Sequence, residues 1–131
     1  MDIIEIRTRA KEEFVDLTAE VGRVVTGSGV ASGVCVVTVP HTTAGVTVNE
    51  NADPDVRADL LMTLRRIVPD SLAYAHAEGN SPAHAKAALI GSSVSLIVEG
   101  GRMQMGTWQG VFFCEFDGPR TRSIWIQIIG K

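Results

Sequence analysis

No segment of this sequence approaches the ~20 consecutive apolar residues that a membrane-spanning helix requires, so no membrane partner is expected. Positive charge is also sparse and scattered: 12 Lys and Arg stand against 15 Asp and Glu, for a formal net charge of −3. A duplex-binding face needs a basic patch to neutralise phosphates, so nucleic acid is not an expected partner either. Only two cysteines occur, Cys35 and Cys114, each inside an apolar run and without C-x-x-C spacing. They read as reduced, buried small hydrophobes, with a thiol role as the alternative. The opening Met1–Glu5 carries no basic region ahead of an apolar stretch, so no signal peptide is expected and a cytoplasmic location is. Internal repeats, low-complexity tracts and Pro/Ser-rich linkers are absent, which leaves one domain over residues 1–131 as the expectation.

What the chain does have is a globular composition, 45% hydrophobic and 21% charged. A chain of this length should bury about two thirds of its unfolded surface and build its own core. Ile4 and Ile6 alternate with Ile3, Glu5 and Arg7 as in a half-buried strand, and Phe14–Leu17 is short enough to be a second. Thr18 reads as an N-cap, Val21, Val24 and Val25 as one helical face, and Gly27–Ser28–Gly29 as the stop. Val34–Val39 is apolar on both faces, which predicts a central strand. Thr42–Gly45 reads as a short turn pairing it antiparallel with Val46–Glu50. Asp53–Pro54 opens the clearest helix, with Val56, Leu60, Leu61, Leu64, Ile67 and Val68 as its stripe and Pro69 as its stop. Ser81–Pro82 starts another, closed by Gly91. The final third reads as an antiparallel meander, with Val111–Phe116 and Ser123–Ile129 joined by the turn Asp117–Arg120. Helices segregated from an antiparallel sheet mean α+β.

The residues suited to chemistry lie mostly between His41 and His84. His41 continues the face of Val37 and Val39, and Glu50 continues that of Val46 and Val48. A carboxylate extending an apolar face is unusual unless paired or bound. His41 adjoins the turn while Glu50 ends the return strand, so pairing alone does not join them. His84 falls in the first turn of its helix, where the positive end of the dipole favours an imidazole able to ligate metal. Glu78–Ser81 ahead of it offers free backbone N–H groups, a generic phosphate or carboxylate cradle, with His76 just upstream. The spacings match no standard zinc motif. Asp53 reads as a helix cap. Arg102, Arg120 and Arg122 read as a solvated strand face, with phosphate binding as the alternative. Gly106–Thr107–Trp108–Gln109–Gly110 suggests a bulge or sharp bend, with Trp108 either packing the core or lying beside a ligand bonded by Gln109.

Several blocks in order resemble the YjbQ-like family: Pro40–Ala44, Asn49–Pro54, Gly79–Lys86, Gly91–Ser93, Gly101–Arg102, Gly106–Gln109 and Cys114–Arg120. The Gly-Thr-Trp-Gln block is the most specific of them. The resemblance implies an α+β, sandwich-like fold, largely antiparallel or mixed in its sheets with about three helices, assembled as a homotrimer. It also implies a weak or side activity as a thiamine-phosphate synthase. In that reaction a hydroxymethylpyrimidine diphosphate condenses with a thiazole phosphate and diphosphate is released. It further implies a cleft in which His41, His76 and His84 hold a divalent metal, zinc or another transition ion. On this reading Glu50 and His84 are catalytic. Thr42, Thr43, Asn51, Gly79, Asn80, Ser81, Arg102, Thr107, Trp108 and Gln109 contact a small phosphorylated substrate. Expelling diphosphate calls for positive charge or metal on the leaving group, yet no Asp-rich magnesium motif is present. Two other readings stay open: a metal-dependent hydrolase of a small phosphorylated or acyl substrate, with Glu50 as base, and a non-enzymatic trimeric binder of a metal or small ligand.

Overall fold

Eight strands and three helices follow one another in the computed structural model, which describes residues 1–131. They are β1 (Asp2–Arg7), β2 (Glu13–Asp16), α1 (Thr18–Gly27), β3 (Ser32–Thr38), β4 (Ala44–Glu50), α2 (Pro54–Ile67), α3 (Ser81–Ile90), β5 (Ser93–Glu99), β6 (Arg102–Met103), β7 (Gln109–Glu115) and β8 (Thr121–Gly130). A five-stranded sheet has the order β1-β8-β3-β5-β6 and a three-stranded sheet the order β2-β7-β4. Every pairing is antiparallel. The architecture is α+β, as expected. No helix is long and apolar enough to cross a membrane.

Period-two alternation explains how the layers close. Cys35 and Val37 of β3, Leu96 and Val98 of β5, and Ile124 and Ile126 of β8 point inward from the larger sheet. Ala44 and Val46 of β4, with Val111 and Phe113 of β7, meet them from the smaller one, and α1 adds Val21 and Val25. The opposite face of β7 carries Phe112 and Cys114, which pack with Phe14, Phe116, Leu64 of α2, and Ala83 and Ala87 of α3. Strand β7 is therefore buried on both faces. Phe112 and Phe113 are wholly inaccessible, and burial of each such side chain contributes roughly 1.5–3 kcal/mol. The two cysteines are free and buried, one in each core.

The helix starts and stops read from the sequence are present with one shift, but Ile67, expected in the buried stripe of α2, is exposed. The Asp53 carboxylate caps α2 by accepting from the Asp55 N–H at 2.9 Å, and Pro54 is its first residue. Thr18 is not a cap but the first residue of α1, because Asp16 accepts from both its N–H and its hydroxyl.

Two expected hairpins are absent. β3 and β4 do not pair, because both edges of β3 are already taken by β5 and β8. Likewise β7 and β8 are not neighbours in a meander, since β2 and β4 occupy both edges of β7. In each case the connecting segment carries the chain from one sheet to the other. Both crossings lie at the same end of the sandwich, where Ala44 pairs with Glu115.

Close approach of β4 to the end of α3 fixes that end further. The Val46 N–H donates to the Gly91 carbonyl at 3.1 Å, and a Cβ on Gly45 would stand 2.6 Å from the same oxygen. Backbone cannot step aside as a flexible side chain can. Gly45→Val should therefore cost about 1–3 kcal/mol of unfolding free energy, read as a lower urea midpoint at unchanged slope. A midpoint equal to wild type would contradict this packing.

Candidate functional site

The two crossings, together with the start of α3, form a largely polar pocket. It is lined by Pro40, His41, Thr42, Thr43, His76, Glu78, Asn80, His84, Asp117, Arg120 and Arg122. A neighbouring pocket shares Glu78, Asn80 and Asp117 and adds Gly79 and Lys86, whose ammonium is buried against Glu12.

Beneath the pocket lies a buried ion pair that ties the sheets together. Glu115 continues the inward face of Val111 and Phe113, and Arg122 that of Ile124 and Ile126, so alternation turns both charges into the sandwich. Glu115 is 0% exposed and Arg122 is 3% exposed. Arg122 Nε donates to Glu115 Oε1 at 2.9 Å and Nη2 donates to Oε2, a two-pronged pairing. Nη2 also donates to the Thr43 hydroxyl at 2.9 Å, and the Thr8 hydroxyl donates to Glu115 at 2.7 Å. Burial pushes the Glu115 carboxyl up. Bonds from Arg122, the Asp117 N–H and Thr8 outweigh that and hold it below the ordinary carboxylate value. Arg122 Nη1 is left without an acceptor in the chain, and the residue lines the pocket. Arg120 is held next to it by the Asp117 carbonyl and carboxylate.

All three histidines line this pocket, but their roles differ from a shared ligand set. His76 and His84 stand edge to face with ring centroids 5.4 Å apart. His84 is the fourth residue of α3, in its first turn. His41 Nε2 instead accepts from the Ser123 N–H at 2.9 Å. A donor bonds only an unprotonated ring nitrogen, so in the neutral ring the proton sits on Nδ1. Burial, then the Arg122 charge, holds His41 below its ordinary value of 6.5. With that lone pair taken, a three-histidine metal site does not fit. No three His, Cys, Asp or Glu side chains of the chain are placed to share an ion.

Of the other expected site residues, Thr42, Thr43 and Asn80 are brought to the pocket and Gly79 to its neighbour. The Asn80 amide donates to Asp117 at 3.0 Å, leaving its buried Oδ1 without a partner. Ser81 opens α3 but lines neither pocket. Glu50 and Asn51 lie at the other end of β4. Six residue steps of ~3.3 Å separate Ala44 from Glu50, about 20 Å. Glu50 pairs there with Gln109, whose side chain accepts from the Gly106 N–H and so serves its own turn. Thr107 and Trp108 share that end, and Trp108 is 62% exposed rather than packed in the core. Arg102 sits in the β5–β6 hairpin opposite Glu99, again at the far end of its strand. Within one chain these residues and the histidines cannot meet one small ligand. The sequence reading missed Glu115 and Asp117 as site residues, and for Arg120 and Arg122 it gave phosphate binding only as the alternative to a solvated strand face. For Glu115 and Arg122 the signal was there, in charges falling on the inward positions of β7 and β8.

The family model described as UPF0047 protein YjbQ-like matches residues 2–131. The chain belongs to this family. It is 47% identical to a UPF0047 protein of Methanocaldococcus jannaschii, covering 96% of this chain and 91% of that protein. It is 46% identical to the UPF0047 protein YugU of Bacillus subtilis, over 97% of each. A crystal structure of a family protein from Clostridium acetobutylicum superposes with a TM-score of 0.96 at 49% identity, covering 98% of this chain and 100% of that one. A second, from Sulfolobus solfataricus, gives 0.95 at 33% identity, covering 99% and 96%. Family membership extends over nearly the whole chain, the pocket and the Gly106–Gln109 turn alike.

Two results should follow from the electrostatics beneath the pocket. Glu115→Gln leaves a buried guanidinium without its counter-charge, and should cost about 3–5 kcal/mol in denaturant unfolding; a loss typical of a surface carboxylate would contradict the buried pairing. Stability should also fall in two stages on acidification. His41 is depressed in the fold, so the unfolded chain takes up its proton first and stability declines below about 6.5. Glu115 and Glu12 are depressed below 4.5 by their partners, so their contribution is complete above that value and disappears as pH falls through their folded values. His41→Gln should remove the first stage and keep the second, a difference read from urea midpoints across pH.

Proposed function

We propose that the pocket between the two sheet crossings binds a small phosphorylated ligand, and that the chain acts as a weak thiamine-phosphate synthase-like transferase. The observation that carries this reading is the buried Arg122. Its position is fixed by Glu115 and Thr43, Nη1 makes no hydrogen bond within the chain, and the residue lines the pocket. Arg120 and the Nδ1–H of neutral His41 offer further donors in the same lining. Fixed donors aimed where negative charge develops lower a barrier more than mobile ones do, because nothing has to reorganise during the reaction.

In the proposed reaction the thiazole nitrogen attacks the benzylic-type carbon, the bond from that carbon to the diphosphate oxygen breaks, and diphosphate departs with the electron pair. The chemical demand falls on the leaving group. His84, in the first turn of α3, lines the pocket and is the proposed acid. Glu50 does not fit as a base here, being about 20 Å along β4 from the pocket. That distance weighs against the hydrolase reading within one chain. A divalent ion would find two ligands in His76 and His84, and would need the rest from the ligand or another subunit.

The working form is proposed to be a homotrimer. The outward face of the five-stranded sheet supports this, since Ile3 pairs across to Trp125, and Val34 to both Ile129 and Ile97. Ile3, Ile97 and Ile129 are each at least 60% exposed in the isolated chain. A contiguous apolar sheet face of this kind calls for cover.

Thiamine phosphate should form slowly from the two phosphorylated precursors, and His84→Ala should abolish it while leaving the urea midpoint near wild type. No product above a control without protein, with a divalent metal supplied, would remove the transferase reading and leave a binder. Sedimentation velocity at micromolar concentration should give a trimer, and Ile97→Glu should shift it toward monomer; a monomeric wild type would refute the assembly.

A further inference from the structure

We infer that His41 is a fixed hydrogen-bond donor to the phosphoryl group of the ligand and not a metal ligand, an assignment that rests on the phosphorylated-ligand reading above. The geometry leaves the ring one arrangement. Its Nε2 receives the Ser123 N–H at 2.9 Å. Ser123 is itself held in β8, opposite Glu5 of β1, so this donor cannot swing away. A neutral imidazole has one N–H, which must then be on Nδ1, where it has no acceptor within the chain. Metal binding needs a free lone pair. Nε2 has spent its own on Ser123, and Nδ1 in this tautomer has none to give.

Neighbouring groups favour the same role. Arg122 and Arg120 line the same pocket, so a ligand anion meets donors there. A cation held by His41 would instead lie beside two guanidinium groups. The position of His41 follows from the crossing between β3 and β4, which sets it against the start of β8. His76 and His84, which pack edge to face, lack such a backbone donor. Three histidines that the sequence groups together thus divide into one donor and one pair.

The test is nuclear magnetic resonance of the isotope-labelled full chain at neutral pH, with long-range proton–nitrogen correlations. His41 is assigned by the signals that vanish in His41→Gln, a variant whose side-chain oxygen can still accept from Ser123. The expected spectrum has Nδ1 protonated and Nε2 unprotonated, with inorganic diphosphate shifting Nδ1. By calorimetry His41→Gln should bind diphosphate about tenfold more weakly, the scale of one lost bond to a charged group. Zinc binding should be the same in wild type and His41→Gln. A proton on Nε2, or zinc binding lost in His41→Gln with its urea midpoint retained, overturns the assignment. If wild type binds no diphosphate, the phosphorylated-ligand reading fails and the donor role fails with it, while the tautomer and zinc results still decide whether His41 is a ligand. If wild type binds it and His41→Gln binds equally well, only the donor role is lost.

Discussion

The buried pairing of Glu115 with Arg122 is the constraint on which the rest of this structure depends. It joins the three-stranded sheet to the five-stranded one at the end where both chain crossings lie. Desolvating two charges is expensive, and the cost is met only where further polar groups complete the shell. Here Thr8, Thr43 and the Asp117 N–H do so. The same bonds that satisfy the pair also hold the Thr42–Thr43 crossing and the Asp117–Arg120 turn in place. The polar pocket follows from solving a packing problem with charges instead of apolar side chains. An apolar pair of similar volume would close the sandwich as well, and would leave no donor facing the cavity.

Much of the fold is legible in the sequence because it is local. The alternation in Val34–Val39, the Asp53–Pro54 start of α2 and the Gly91 stop of α3 each have a cause within a few residues. Sheet partition is not local. Thr42–Gly45 and Asp117–Arg120 carry good turn chemistry, and turn chemistry does not say whether the flanking strands pair or separate. That depends on which edges of β3 and β7 are already occupied, by strands distant in the chain.

The candidate site divides along the same line. His41, Thr42, Thr43, His76, Asn80 and His84 cluster as the sequence suggests, because the crossings and the start of α3 share one end of the sandwich. Glu50, Asn51, Arg102 and the Gly106–Gln109 turn lie at strand ends far from that pocket. The least legible residue was Arg122. Its placement among Arg102 and Arg120 suggests a solvated face, and only the inward register of Ile124 and Ile126 reveals that it is buried.

The most direct test of this account is a crystal structure of the protein with inorganic diphosphate bound. The anion is predicted to contact Arg122 Nη1 and His41 Nδ1, with the Glu115–Arg122 pairing intact below it. Diphosphate held at the Gly106–Gln109 turn, or bound in the pocket with Arg122 turned away from it, would contradict the central claim that the buried pair presents the ligand's anchor.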